Sequence, residues 1–344
     1  MVKKLIKAIF LFCWISIVSL IFLEIVARYI VRQPYYAFPE GYFVSNEFYG
    51  YELAKNFRGK YSQPEFTISI DTNSRGLRDV ERSLSQDQFK ILALGDSFSF
   101  GVGVELKDTY LSKLEQMFNA AKGQKLSIIK AGMVGYSTYN QKAYLEQKGL
   151  SYHPNMAMVQ FWWDDLGIDR VTFLAETGFL TSGKITSNAQ LRLFLNKNFR
   201  SYALLRRIFT VISKKALFRV KVASVTESQS SLNNKYAITL KEFKAIQDWC
   251  VKNRISCWFL LIPPKEFVDD NNGVLQSQWK SFCDLLSKNN IPYLNCLPVL
   301  KEAFARGEPV FFKVDPHLNS HGHQIIAEGI YQYLLPRLIP ERQS

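Results

Sequence analysis

The feature that most constrains the fold is a repeated alternation of short apolar runs and helix-patterned segments, which begins at Phe89 and continues towards the C-terminus. Apolar runs of this length are typical of buried strands, and the segments between them have helical spacing and often end at glycine. Such βα repeats predict a parallel sheet covered by helices on both faces, with ligands bound beyond the carboxyl ends of the strands. The predicted strands are 90–94, 126–130, 156–163, 256–262 and 292–295, and the predicted helices are 106–122, 138–148, 237–252, 274–288 and a last helix after His321.

Other segments flank or interrupt this repeat. The segment that precedes it is aromatic and turn-rich, with one alternating stretch, EFTISIDTN, that predicts a strand. Within the insertion, residues 222–235 are polar and predict a flexible loop. The predicted organisation is an N-terminus and membrane anchor at 1–32, an irregular and partly β lead-in at 33–85, an α/β domain at 86–338 that contains an insertion at 167–235, and a tail at 339–344.

The N-terminus carries MVKKLIK, followed by an uncharged apolar run from Ala8 to Leu23. The stretch from Leu5 to Val26 is long enough to cross a bilayer. It is longer than the apolar region of a usual signal peptide, and no small-x-small cleavage site follows it, which favours an uncleaved single-pass anchor. Lysines before the run predict a cytoplasmic N-terminus. We therefore expect the α/β domain to lie on the outer side of a bacterial cytoplasmic membrane.

The basic part of the insertion, residues 190–221, is helical in pattern and contains no acidic residue. Its mixture of arginine, lysine and large apolar side chains suits a helix that lies in an anionic membrane interface. The same pattern suits a helical cap that packs on the α/β domain. The sequence leaves both interpretations open.

The composition limits the possible partners and cofactors. The formal net charge is +13, which suits an anionic membrane or an acidic glycan as well as nucleic acid. The sequence contains no zinc-finger spacing, no RNP-type aromatic motif and no heptads, so we expect no nucleic-acid partner. The five cysteines include no CxxC pair, and the four histidines include no HExxH spacing. We therefore expect no metal and no cofactor. Cys13 lies in the apolar N-terminal run; for the other four cysteines we expect buried free thiols, with disulfide pairing in an oxidising compartment as the alternative.

Two blocks supply a serine and a histidine suited to nucleophilic catalysis. In LALGDSFSFGVGV an apolar strand runs into a glycine-bearing turn and a helix, which projects Ser97 into the crevice beyond the strand ends. In VDPHLNSHGH, Asp315 stands two residues before His317. A serine hydroxyl becomes a good nucleophile only when a base accepts its proton, and a carboxylate that fixes the tautomer of the base makes it effective. We expect these three residues to be catalytic.

Two further blocks follow the second and third predicted strands. In AGMVGYSTYNQKAYL, Gly135 allows the backbone to approach a ligand closely and to offer an unobstructed N–H. In VQFWWDDL, Asp164 and Asp165 lie where the crevice of the sheet is expected. Each block has a plain structural interpretation as well, and their shared placement at strand ends is what suggests a site.

These four blocks, in this order, resemble those of the SGNH (GDSL-like) hydrolase superfamily. The resemblance covers about residues 70–335, apart from the insertion, and DTNSRGLRD also resembles a lead-in of membrane-anchored bacterial members. It implies a flavodoxin-like three-layer α/β/α domain. It also implies a site in which Ser97 is the nucleophile, His317 the base and Asp315 its orienting carboxylate, with the N–H groups of Ser97 and Gly135 in the oxyanion hole.

The sequence departs from the family pattern at two points. The family's third block usually reads Gly-x-Asn-Asp, with the Asn side chain donating to the oxyanion, and here Asp164 stands at the Asn position. A carboxyl can donate there only when protonated, which needs an apolar or like-charge environment. Alternatively, Asp164 faces solvent or binds an acceptor sugar. The other departure is the Asp-x-His spacing in place of the commoner Asp-x-x-His.

The resemblance implies a serine esterase or O-acyltransferase that acts on acyl esters, in the first place acetyl esters of envelope or secreted polysaccharide. A lysophospholipase-like lipid-ester hydrolase at the bilayer surface is an alternative. A non-catalytic member that binds glycan or a partner enzyme is another, which Asp164 favours and the intact Ser97, His317 and Asp315 disfavour.

Overall fold

The computed structural model describes residues 2–30, 38–83, 88–121, 126–174, 180–181, 228–270 and 273–338, together with 191, 194–195, 198–202, 204–206 and 208–209. The chain forms two compact units. One comprises Met1–Phe38, Ser62–Pro64 and Lys184–Glu227, and the other comprises Pro39–Tyr61, Glu65–Gly183 and Ser228–Ser344.

The strands are β1 (Phe43–Asn46), β2 (Gly50–Leu53), β3 (Lys60–Gln63), β4 (Phe66–Ser69), β5 (Phe89–Gly95), β6 (Leu126–Gly132), β7 (Met156–Trp162), β8 (Phe173–Leu174), β9 (Leu180–Thr181), β10 (Ser256–Ile262) and β11 (Tyr293–Asn295). The helices are α1 (Val2–Ile30), α2 (Ser97–Phe100), α3 (Tyr110–Ala120), α4 (Thr138–Lys148), α5 (Gln229–Lys252), α6 (Lys265–Val268), α7 (Val274–Lys288), α8 (Leu297–Ala305) and α9 (Ser320–Leu338). Short 3₁₀ turns cover Leu106–Asp108, Gly149–Tyr152 and Trp163–Asp165.

The second unit is built on a five-stranded sheet with the order β6-β5-β7-β10-β11, and all neighbouring strands are parallel. Counted along the chain, these strands have the order 2-1-3-4-5 of flavodoxin-like folds. The strand order reverses between β5 and β7, which opens a crevice beyond their carboxyl ends. The predicted three-layer α/β/α architecture is confirmed.

Helices cover both faces of this sheet. On one face α3 packs against α9, and α8 also contacts α9. On the other face α4 packs against α5. There the ring of Phe243 from α5 stacks on Phe259 of β10 at 4.0 Å and contacts Phe161 of β7 edge-on at 5.4 Å. All three rings are fully buried, and each such side chain contributes about 1.5–3 kcal/mol through burial.

Two boundaries differ from those predicted. Residues 229–235 belong to α5, although the polar composition predicted a flexible loop over 222–235. The helix can begin there because the Ser228 side chain accepts a hydrogen bond from the Ser231 N–H, and Leu232 is buried one turn later. The predicted helix 106–122 is divided at Thr109, which adopts an extended conformation and caps α3 through its side chain.

In the first unit, α1 is, among the described residues, the one helix long and apolar enough to cross a membrane. Glu24 and Arg28 of this helix are four residues apart, and Arg28 Nε donates to Glu24 Oε1 at 2.8 Å. Glu24 also accepts hydrogen bonds from the backbone N–H groups of Arg200 and Ser201, each at 3.0 Å. The membrane-surface interpretation of residues 190–221 falls mostly outside the described residues.

Candidate active site

Ser97 is the first residue of α2, directly after β5, so its backbone N–H has no acceptor within the helix. Asp96 caps this short helix, and its Oδ1 accepts a hydrogen bond from the Phe98 N–H at 2.8 Å. Gln160 of β7 holds the turn from the neighbouring strand. Its Oε1 accepts from the Asp96 N–H at 3.0 Å and from the Ser99 hydroxyl at 3.2 Å. The position of Ser97 is therefore fixed from two strands.

Glycine is required where this turn meets its neighbours. A Cβ at Gly95 would lie 2.1 Å from Ser99 Oγ and 2.6 Å from Gln160 Oε1. A Cβ at Gly132 would lie 2.5 Å from the backbone nitrogen of Phe100. Any side chain at either position would push α2 away from the strand ends, and with it the serine.

Ser97, His317 and Asp315 form one hydrogen-bonded chain. His317 Nε2 lies 2.8 Å from Ser97 Oγ, and His317 Nδ1 lies 2.6 Å from Asp315 Oδ1. Because a carboxylate can only accept, Nδ1 carries the imidazole proton and Nε2 is left to accept from the Ser97 hydroxyl. Asp315 Oδ1 also accepts from the His317 backbone N–H at 3.0 Å. The geometry is that of a nucleophile, a base and an orienting carboxylate.

Aromatic rings lie beside the imidazole of His317. The ring of Phe98 is 5.1 Å from that of His317, and Trp162 packs against Phe98 at 5.3 Å. Ser97 is 9% exposed, so little of this residue is open to solvent.

Gly135 lies in the turn after β6 with φ of +82°, a conformation that favours glycine. The strand β6 is in register with β5, with Gly95 opposite Gly132, so Ser97 and Gly135 follow adjacent strand ends by two and three residues. The Tyr51 hydroxyl of β2 donates to the Val134 carbonyl and holds this turn. The structure therefore brings Gly135 to the same edge of the sheet as Ser97.

The two adjacent aspartates after β7 differ in environment. Asp164 is exposed in the 3₁₀ turn, whereas Asp165 is buried. Burial, together with the charges of Asp96 and Asp164, raises the pKa of Asp165 well above its ordinary value. Burial raises the pKa of Asp96 to about 6, although the Phe98 N–H, the Gln160 contact and His317 oppose the shift. In this turn it is therefore at Asp165 that burial favours the neutral carboxyl.

The lead-in holds the turn that follows α2, the helix that begins at Ser97. The buried guanidinium of Arg78 donates to the carbonyls of Phe100, Gly101 and Val104 at 2.8–3.1 Å. Its N–H groups also reach the Ser69 carbonyl, at 2.7 and 3.1 Å. Burial lowers the pKa of Arg78 to about 10, so the group remains cationic at neutral pH. Arg78 thus fastens the lead-in to the loop after α2.

The two remaining C-terminal histidines have structural partners. His321 Nε2 lies 2.7 Å from Glu308 Oε2 on the surface. His323 is buried, accepts a hydrogen bond from the Tyr110 N–H at 3.1 Å and stacks on the Tyr110 ring. Burial lowers the pKa of His323 to about 3, so it is neutral at physiological pH. Of the three histidines in this stretch, only His317 faces the serine.

Sequence reasoning missed three side chains that support the site, namely Gln160, Glu65 and Lys265. For Gln160 a signal existed, because it is a lone polar residue inside an otherwise apolar strand. For Asp165 the sequence suggested a place but not the burial. Glu65 and Lys265 carried no signal, because isolated charged residues in turns are common on any surface. Both contact the loop that carries Asp315 and His317.

No protein-family model matches the chain, and no curated protein matches it. Similar solved structures include the lipase/acylhydrolase from Enterococcus faecalis (15% identity, 74% of this chain and 100% of that chain, TM-score 0.43). The psychrotrophic esterase EstA from Pseudoalteromonas sp. is also similar (13% identity, 72% and 98%, TM-score 0.42). So is a catalytic mutant of the acetylxylan esterase Axe2 from Geobacillus stearothermophilus (12% identity, 73% and 95%, TM-score 0.41).

Proposed function

We propose that the chain is a serine ester hydrolase or O-acyltransferase of the SGNH type. The observation that carries the proposal is the continuous hydrogen-bonded chain from Ser97 Oγ through the His317 imidazole to the Asp315 carboxylate. These three groups come from opposite ends of the sequence and meet at the crevice of a flavodoxin-like sheet, where ligands of such folds bind.

In this mechanism the Ser97 hydroxyl attacks the ester carbonyl while His317 Nε2 takes its proton. Asp315 stabilises the imidazolium that forms. The protonated His317 then donates to the leaving alcohol, and the acyl group remains on Ser97 as an ester. A water molecule, or the hydroxyl of an acceptor sugar, attacks this ester with His317 again as the base, which releases the acid or the new ester and restores the enzyme.

The oxyanion of each tetrahedral intermediate needs hydrogen-bond donors that are already in place. We assign this role to the N–H of Ser97, at the start of α2, and to that of Gly135, in the positive-φ turn at the neighbouring strand end. The exposure of Asp164 favours the interpretation in which its carboxylate faces solvent or an acceptor sugar over the one in which it donates to the oxyanion.

We propose that the enzyme is held by α1 in a bacterial cytoplasmic membrane, with the α/β domain on the outer side. The apolar length of α1 supports the anchor, and the lysines in its first two turns support this orientation. In that location the esters within reach are those of envelope or secreted polysaccharide, and we propose acetyl esters of such glycans as the substrate. Lysolipids of the same membrane are the second candidate.

The two substrate classes are separated by acyl-chain length. The full chain in nonionic detergent is assayed with an acetyl ester of an oligosaccharide and with a long-chain lysophospholipid, each at several concentrations. We expect kcat/KM to be at least about 100-fold higher for the acetyl ester, because a site built around a short acyl group gains nothing from a chain it cannot enclose. A preference for the lysolipid would replace the glycan assignment with the lipid one.

A further inference from the structure

The loop that carries Asp315 and His317 has little regular structure of its own. It lies between Phe311 and Leu318, which form an isolated antiparallel bridge, and the Phe312 N–H donates to the His317 carbonyl at 3.1 Å. A loop of this kind holds a side chain in one orientation only when other parts of the molecule fasten it. The contacts that do so come from two distant segments of the chain.

The first is Glu65, in the turn between β3 and β4. Its carboxylate accepts hydrogen bonds from three consecutive backbone N–H groups, those of Lys313 at 3.0 Å, Val314 at 2.9 Å and Asp315 at 2.6 Å. Successive N–H groups that converge in this way form a nest, a site that binds an anion. Hydrogen bonds to an ionised acceptor are also stronger than those between neutral groups.

The second contact is Lys265, the first residue of α6 after β10. Its ammonium group donates to the Phe312 carbonyl at 2.9 Å and to that of Lys313 at 3.3 Å. The N–H groups of the loop are thus bound by an anion and the carbonyl groups by a cation. The Phe312 ring also packs against Phe66, the residue after Glu65, at 5.1 Å.

We propose that Glu65 is a positioning residue of the triad. It holds the backbone of Asp315 at its N–H, and one carboxylate oxygen of Asp315 in turn holds His317 by two hydrogen bonds, one from the imidazole and one from the backbone N–H. Glu65 touches no reacting atom and acts through the loop. The inference rests on the proposed function, since it assigns a role only if His317 is a base. It makes the lead-in part of the active site and not merely a linker.

The test uses Glu65→Ala in the full chain, with ester hydrolysis measured with and without sodium formate. We expect kcat to fall about 10- to 100-fold with KM changed less than twofold, because small displacements of a base reduce the rate of the chemical step. Formate fits the space left by the carboxylate and restores the anion of the nest. We expect formate to raise the kcat of Glu65→Ala at least tenfold, with an effect that saturates as its concentration increases. Sodium chloride at the same ionic strength should not raise it.

Matched variants separate positioning from folding. Glu81→Ala is the control, because Glu81 is another lead-in carboxylate that accepts a backbone hydrogen bond, from the Ser74 N–H, but it lies away from the loop of Asp315 and His317. We expect this variant to keep the wild-type kcat and formate to have no effect on it. Glu65→Gln keeps one acceptor oxygen, and its kcat should lie between those of the wild type and Glu65→Ala. Unchanged kcat in Glu65→Ala would overturn the inference. The inference would also be overturned if both Glu65 variants lost activity and formate did not restore that of Glu65→Ala. An inactive wild-type protein would instead refute the proposed function.

Discussion

Replacing Ser97 by alanine is expected to reduce ester hydrolysis about 10⁴-fold or more, and replacing His317 by alanine is expected to have a similar effect. The first variant removes the attacking oxygen, and the second leaves that oxygen without a base. Both side chains lie at the end of a strand or in a loop, at the edge of the crevice. We therefore expect the midpoint of thermal unfolding to change little. Initial rates with an acetyl ester, measured on the two purified variants, provide the check.

His321→Ala is the matched control, because that histidine lies four residues from His317 but pairs with Glu308 on the surface. It should hydrolyse the ester at the wild-type rate. Near wild-type activity in Ser97→Ala would show that the mechanism is wrong.

Replacing Asp165 by asparagine is expected to stabilise the protein increasingly as the pH rises. Burial raises the pKa of Asp165 well above the 3.8 of an exposed carboxyl, so the native state keeps a proton that the unfolded chain has lost. The contribution of such a group to stability is complete below about pH 4 and is lost as the pH rises through the raised pKa. The free energy of unfolding of the variant, relative to that of the wild type, should therefore increase from pH 5 towards the raised pKa of Asp165, with a limiting slope of about 1.4 kcal/mol per pH unit.

Urea unfolding of both proteins at pH 5, 6 and 7 measures this difference. His323 has the opposite effect, because its lowered pKa reduces the free energy of unfolding as the pH falls below its ordinary 6.5. This contribution is the same in both proteins, so it cancels when their free energies of unfolding are subtracted. Asp248→Asn is the control, since it makes the same chemical change at an exposed position on α5, and we expect it to show no comparable gain in stability as the pH rises. A difference for Asp165→Asn that is constant with pH would mean that Asp165 is ionised in the folded protein.

The regular part of the fold could be predicted because its signals are local. The strand Ser256–Ile262 and the helix Thr138–Lys148 occupy the residues that were predicted. The strand is a short apolar run, and the helix has both a capping box at Ser137 and a glycine after its last residue. Where the polar composition was misleading, at the start of α5, the predicted helix boundary was wrong. The polar start of α5 is helical because Leu232 is buried in tertiary contact, which composition does not reveal.

The candidate site likewise contains residues that the sequence could predict and residues that it could not. Ser97, Asp315 and His317 stand in short motifs whose order along the chain could be compared with a family pattern. The residues that hold these three in place could not be predicted by such a comparison, because they are single residues far away in the sequence. Glu65, for example, is 250 positions from Asp315. Nor does sequence reveal which of two neighbouring aspartates is buried, since that depends on how the turn after β7 faces the sheet.

The residues that hold the three loops of the site come from one segment of the chain, which the sequence did not suggest. Arg78 holds the loop after α2, Tyr51 holds the turn of Gly135, and Glu65 holds the loop of Asp315 and His317. All three bracing residues belong to the lead-in, which was expected only to be irregular and partly β. The segment before the α/β domain therefore supports each of the three loops that meet at the site.

The most direct test of a nucleophilic Ser97 is covalent labelling with a fluorophosphonate probe. In this reaction a serine oxygen activated by its base attacks phosphorus, and fluoride leaves. The full chain is incubated with the probe, digested and analysed by mass spectrometry. We predict a single adduct on Ser97 that is absent from Ser97→Ala and forms much more slowly in His317→Ala. An unlabelled wild-type protein, or an adduct that persists in Ser97→Ala, would contradict the account.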